Sequence, residues 1–277
     1  MSYAVMQKTL EPPTVEQLKG AFRGIPGLTP MDAYTLGKDA FGILVKHFPL
    51  ERASALQAAL AAQGIETEVV DEASLPEMPP GRHVNCLACT PEALMVSDPL
   101  GRSFPLEWKN ILLIAAGKVP VVEFKQAQTA TYVPQNNSTS PAIDTIIHDP
   151  FFGLGIPSAR ATPATSVDFQ TKESRPERLL LEVVISRAAL RYSVEADRSA
   201  PQLFQYLGER RTNNLVKNFG ILIQDLTNHA PQAAINRGAY YLRENAPEPL
   251  TYPSKNAFYE EIIWLLWQLA RNESAPG

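Results

Sequence analysis

Between residues 94 and 117 the rhythm of hydrophobic and polar positions changes three times, and it reads as an antiparallel meander. Leu94-Met95-Val96 is a short β-prone run. Asp98-Pro99-Leu100-Gly101 carries turn residues: an Asp to bond its own backbone, a Pro with φ preset, and a Gly where φ can be positive. Phe104, Leu106 and Trp108 then fall at every second position, the period of a half-buried strand. On this reading Trp108 belongs to an inward-facing core row. Pro105 has no N–H for a ladder, which places the strand at an edge or a bulge. Residues 111–116 are apolar without alternation, as in a strand covered on both faces. Gly117-Lys118 breaks that run, and 119–124 returns as another strand.

Upstream, residues 3–8 form a strand candidate. Thr14-Val15-Glu16-Gln17 has the capping-box spacing, and Val15, Leu18, Phe22 and Ile25 follow at helical intervals. The run 25–30 ends that helix, and strands are expected at 33–37 and 40–47. Pro49 opens a second helix with Ala53, Leu56 and Leu60 on its core face and Gly64 as its stop, before a strand at 65–70. The order β-α-β-β-α-β predicts a ferredoxin-like α+β domain over residues 1–75.

Residues 74–81 are a linker by composition, and 82–90 leads into the meander. From 125 to 176 the chain is polar and rich in Pro, Ser, Thr, Gln and Asn, which predicts a long irregular insertion with one apolar island at 146–155. Strands return at 178–186, 189–196 and 203–207. Asn213 or Asn214 caps a helix striped by Leu215, Phe219, Leu222, Ile223 and Leu226. Pro231 starts another, with Ile235, Gly238, Ala239 and Leu242 on one face, and Ser254 caps the last. Four strands, an insertion, three strands and an amphipathic helix resemble the pleckstrin-homology superfold, a bent antiparallel barrel plugged by a C-terminal helix. The resemblance rests on the DPLGRSFPLEW hairpin, the ILLIAAG strand and the helix at 214–228. It implies a PH-like barrel over 82–124 and 177–230, followed by C-terminal helices at 231–277. The pairing with a ferredoxin-like domain is similar to that of uncharacterised bacterial proteins and implies a fold, not an activity.

Composition narrows the function classes. The 277 residues carry a net charge of −4 and are 45% hydrophobic, so a real core is expected and a broad basic face for nucleic acid is not. The opening residues lack the layout of a secretory signal, and the most apolar window, 262–267, is far shorter than the ~20 residues of a membrane span. With only two cysteines, a cytoplasmic protein without integral membrane association is expected. The loop Thr90-Pro91-Glu92-Ala93, where PH-like domains carry basic lipid-binding residues, is acidic, so phosphoinositide binding is not expected.

His83, Cys86 and Cys89 form an H-x-x-C-x-x-C run. Metal knuckles set such pairs on a tight turn so that both thiolates converge, whereas a strand points positions three apart to opposite faces. Buried structural cysteines are the first reading, and a metal- or thiol-based site at Cys86, Cys89 and His83 is the alternative. His47, His148 and His229 read as structural or solvated, the last as a cation at a helix C-terminus. Gly153-Leu154-Gly155 lacks the third glycine of a dinucleotide fingerprint. Arg187, Arg191, Arg198, Arg210 and Arg211 read as a solvated face with local ion pairs. The final helix is apolar almost all round, with Trp264 and Trp267 off the main stripe of Phe258, Ile262, Leu265, Leu266 and Leu269. Such a helix is covered on all sides, either within the chain or by a partner or second copy, and Phe258, Trp264 and Trp267 are the candidate interface residues. No cofactor is expected. The function class that follows is a non-enzymatic binding, scaffold or regulatory protein, with metal or thiol chemistry as the alternative.

Overall fold

The computed structural model describes residues 1–39, 42–121, 123–131, 166–174, 176–186, 189–196, 201–246 and 250–274. The chain divides into two units, Met1–Val121 with Pro176–Gly277, and Val122–Arg175. The class is α+β with several sheets and, among the described residues, no closed barrel.

The first unit begins with β1 (Tyr3–Gln7), α1 (Val15–Phe22), α2 (Pro30–Asp39), β2 (Ile43–Phe48), α3 (Leu50–Ala61) and β3 (Thr67–Asp71). The sheet runs β2-β1-β3, with β1 antiparallel to both neighbours. Thr14 and Gln17 form the expected capping box, and Ala53, Leu56 and Leu60 are the buried face of α3. The strand expected at 33–37 is instead part of α2, so the order is β-α-α-β-α-β with three strands. Local chemistry decides this: the Thr29 N–H donates to Asp32 Oδ2 at 2.7 Å, and the Asp32 N–H donates back to Thr29 Oγ1 at 3.2 Å. That reciprocal cap, with Pro30 at the first helical position, starts a helix regardless of the apolar spacing beyond it.

Next come β4 (Gly81–His83), β5 (Cys86–Cys89), β6 (Leu94–Ser97), β7 (Ser103–Leu106) and β8 (Ile111–Pro120). The second unit contributes β9 (Glu123–Thr131) and β10 (Ser166–Ser174), an antiparallel pair with Glu123 opposite Ser174 and Thr131 opposite Ser166. Residues 125–131 and 166–174, expected within a largely irregular insertion, are strands at its ends. The island at 146–155, with His148 and the Gly153–Gly155 pair, lies outside the described residues, as do Arg187 and Arg198.

The first unit resumes with β11 (Glu177–Ile185), β12 (Leu190–Ala196), α4 (Leu215–His229), β13 (Ala234–Ile235), α5 (Arg237–Arg243) and α6 (Lys255–Ser274). A five-stranded sheet runs β13-β8-β11-β12-β4, and β5-β6-β7 form a separate three-stranded sheet. The expected third strand at 203–207 is a 3-10 segment, Pro201–Arg210. Leu203, Phe204 and Leu207 are all buried there, a helical spacing rather than an alternating one. Ile235 is not on a helix: it pairs with Ile114 of β8, and Asn236 then caps α5. Trp108 lies beyond the end of β7 in a 3-10 turn, its indole N–H on the Thr90 carbonyl at 3.0 Å and its ring stacked on His229, so it is not part of an inward strand row.

As the unalternating apolar run predicted, β8 is buried on both faces. Ile114 and Ala116 join a core with β5, β6, β11, β12 and α4. Leu113, Ala115 and Val119 join another with Leu180, Val184, Tyr252 and the α6 residues Phe258 and Ile262. The other side of α6 meets the N-terminal sheet: Trp264 and Trp267 pack with Ala4, Met6, Ile43 and Val70, while the opposite face of that sheet packs on α1 and α3. This is the organising feature of the first unit, a helix between two sheets.

Candidate functional site

The structure does not assemble the metal set. His83 sits on β4, which pairs with β12 in the five-stranded sheet, whereas Cys86 and Cys89 belong to β5 in the three-stranded one. On β5, Leu87 and Cys89 turn to the core and Cys86 to the other face, as alternation requires. Burial pushes the Cys89 thiol up to about 12 and raises that of Cys86 as well. Nucleophilic and metal-ligating cysteines act as thiolates, a form that burial disfavours at both positions. Among the described residues no three His, Cys, Asp or Glu side chains are placed to hold a metal.

Phe258, Trp264 and Trp267 are 0%, 7% and 8% exposed, covered by the chain's own sheets, so these candidate interface residues offer no open surface to a partner. The Trp264 indole N–H donates to the Gln7 carbonyl at 2.7 Å, and its ring lies against Gly42 so closely that a Cβ there would strike it. Arg191 is likewise not part of a solvated face. It pairs with the fully buried Glu182 at 2.7 Å. Ser193 and Tyr259 donate to the same carboxylate at 2.9 and 3.2 Å. Burial pushes the Glu182 carboxyl up, and the Arg191 charge offsets part of that.

A second buried carboxylate, Glu261 on α6, accepts from the Tyr252 hydroxyl and from the Arg237 N–H at 3.0 Å. Tyr252 in turn accepts from Asn236, whose carbonyl oxygen receives the Ala116 N–H at 2.9 Å. Their sequence signal is an acid against an apolar run, a single one in LLLEVVIS and the second of a pair in EEIIW. Both acids have protein partners and neither lines a described cavity, so they fasten α6 to the five-stranded sheet.

One open feature is a groove of about 340 Å³ beside β2. The consecutive residues Ile43, Leu44 and Val45 line it, so the edge of the strand, not one face, opens there. Asp32, Thr35 and Leu36 of α2 form one wall, and Asn256, Ala257 and Glu260 of α6 form the other. On its far side β2 pairs, among the described residues, only with β1, and irregularly: Phe48, Val45 and Ile43 face Tyr3, Val5 and Met6, with register shifts between these pairs. Such bulges bend a strand and release backbone groups from the ladder. His47 adopts φ 64°, pinned by Glu72, which takes its backbone N–H and meets Nδ1 at 2.9 Å. Lys46 ties to Glu260 at 2.9 Å, whereas no described cation pairs with Asp32. The Thr29 hydroxyl and N–H hold the Asp32 carboxyl below the usual carboxylate range, so it is charged at neutral pH. The sequence signal for this wall was the Thr29-Pro30-Met31-Asp32 cap, which an apparent strand pattern obscured. Compared with known proteins, the chain matches no family model, no curated protein and no solved structure.

Proposed function

We propose that the protein is a non-enzymatic binding or scaffold protein of the cytoplasm that holds a partner at the groove beside β2. The observation that carries this is the groove itself, where a strand edge opens between two helices of the same chain. Met31 and Tyr34, 70% and 49% exposed on α2, extend apolar surface on the same helix. The finer architecture belongs to the same proposal. The β2-β1-β3 sheet is a ferredoxin-like sheet short of one edge strand, and the paired sheets capped by α4 are an unclosed PH-like half-barrel, the combination resembled by uncharacterised bacterial proteins.

Thr35 is exposed in the groove, so Thr35→Trp fills it without touching a core. Tagged full-length protein and this variant are used to capture proteins from an extract of the native host, with Leu100→Ala in the β6–β7 turn as control. Thr35→Trp is expected to lose the captured partner at an unchanged unfolding midpoint, while Leu100→Ala keeps it. Equal capture by all three removes the reading.

A further inference from the structure

The groove is built for an extended chain. Its floor is three consecutive residues of β2, an edge strand of the β2-β1-β3 sheet with no described strand on its outward side. Backbone N–H and C=O groups released at an edge are best satisfied by another strand-like backbone. The other edge of the same sheet is treated differently. On β3 the Thr67 carbonyl accepts from Gln57 at 2.9 Å, and the Asp71 carbonyl accepts from the Ser74 hydroxyl at 2.7 Å. That edge is capped by the chain's own side chains, and the β2 edge is where an incoming strand finds room.

The walls restrict the occupant. α2 packs on the sheet face that carries Leu44, and α6 on the face that carries Ile43, so the two helices flank the edge on both sides. A second sheet bearing its own helices meets those flanks before its edge reaches β2, whereas a single segment enters between them. A space of about 340 Å³ holds only a few residues. Of the two carboxylates on the walls, Glu260 is neutralised by Lys46, and no described cation pairs with Asp32. One basic side chain on the occupant complements it.

Resting on the binding reading above, we infer that the groove takes a short extended peptide segment of a partner protein, apolar with a Lys or Arg among its residues, which adds to the edge of β2 as a strand between α2 and α6 and sets its cation against Asp32.

The probes are the synthetic peptide acetyl-Val-Lys-Val-Lys-Val-amide, its Glu-for-Lys counterpart, and a version with alternate backbone nitrogens methylated, which keeps the side chains but cannot pair as a strand. Binding to the full chain is read by fluorescence anisotropy, and β2 amides by hydrogen exchange. The plain peptide is expected to bind and to slow exchange at β2 amides tenfold or more. The methylated and Glu peptides bind at least tenfold more weakly, and Asp32→Asn weakens only the Lys peptide, with a shallower salt dependence. No binding of the plain peptide, equal binding of the methylated one, or protection at β3 instead of β2 overturns the inference. So does self-association of the peptide-free protein that Thr35→Trp abolishes, because the occupant is then a second copy. If the peptides fail while Thr35→Trp still blocks partner capture, binding at the groove stands and only the extended occupant falls. If both fail, the groove binds nothing.

Discussion

The two edges of the N-terminal sheet solve one problem in opposite ways. β3 runs in unbroken register along β1, from Tyr3 opposite Asp71 to Gln7 opposite Thr67, and Gln57 and Ser74 cap its outward carbonyls. β2 pairs irregularly, bends at His47, and leaves a groove where an edge strand of a larger sheet would lie. Unpaired strand edges invite association unless they are capped, bent or covered. The comparison teaches that one edge has been closed by the chain itself, and the other has been bent and walled but left accessible.

Both edges depend on α6, so the largest effect comes from loosening that helix. Phe258→Ala removes a fully buried ring between α6 and the five-stranded sheet and is expected to cost about 3–5 kcal/mol. Urea unfolding measures the loss, and hydrogen exchange should quicken at β2 and β3 together. If only the five-stranded sheet responds, α6 is not the shared wall. Trp264→Phe acts on the other side of the helix. It deletes the hydrogen bond to the Gln7 carbonyl and part of a packed ring, for roughly 2 kcal/mol. Its exchange signature should concentrate in β1 and β2.

Gln57→Ala bears on the edges alone. Uncapping the Thr67 carbonyl should cost about 1 kcal/mol and quicken exchange on β3 without changing β2, which a uniform response would contradict. Lys46→Ala is the mirror test. It removes a partly exposed pair with Glu260, worth about 0.5–1 kcal/mol, and frees a second carboxylate on the groove wall. Thermal unfolding should shift by little, while any cationic probe should bind the groove more tightly. Weaker binding of a cation would place the useful charge on Lys46 instead.

Much of the fold was legible because its signals are local. The Thr14–Gln17 box, the Ala53/Leu56/Leu60 stripe, the Asn214 and Ser254 caps and the α4 stripe involve residues within a few positions of each other, and the structure contains all of them. Three of the differences have one cause in common. At 33–37, at 203–207 and at Ile235, short apolar runs fit strand and helix periods about equally, and caps or pairing partners settled the matter. Asp32 and Thr35 carry no site signal in the sequence, where the pattern at 33–37 resembles a strand and hides the helix that places them. Cys86 and Cys89 were conspicuous as a motif, yet strand alternation separates them.

By itself the sequence determined that this chain has a mixed α+β core, where most of its helices start, that β8 is covered on both faces, and that its last helix is covered all round. Tertiary structure alone decided what covers that helix, which acids lie beneath it, and which sheet edge remains open. The reason is range. Periodicity and caps are written within a turn or two of the backbone, whereas the bond from Trp264 to Gln7 and the pair of Lys46 with Glu260 join residues more than two hundred positions apart. Nothing in the spacing near either end names its partner.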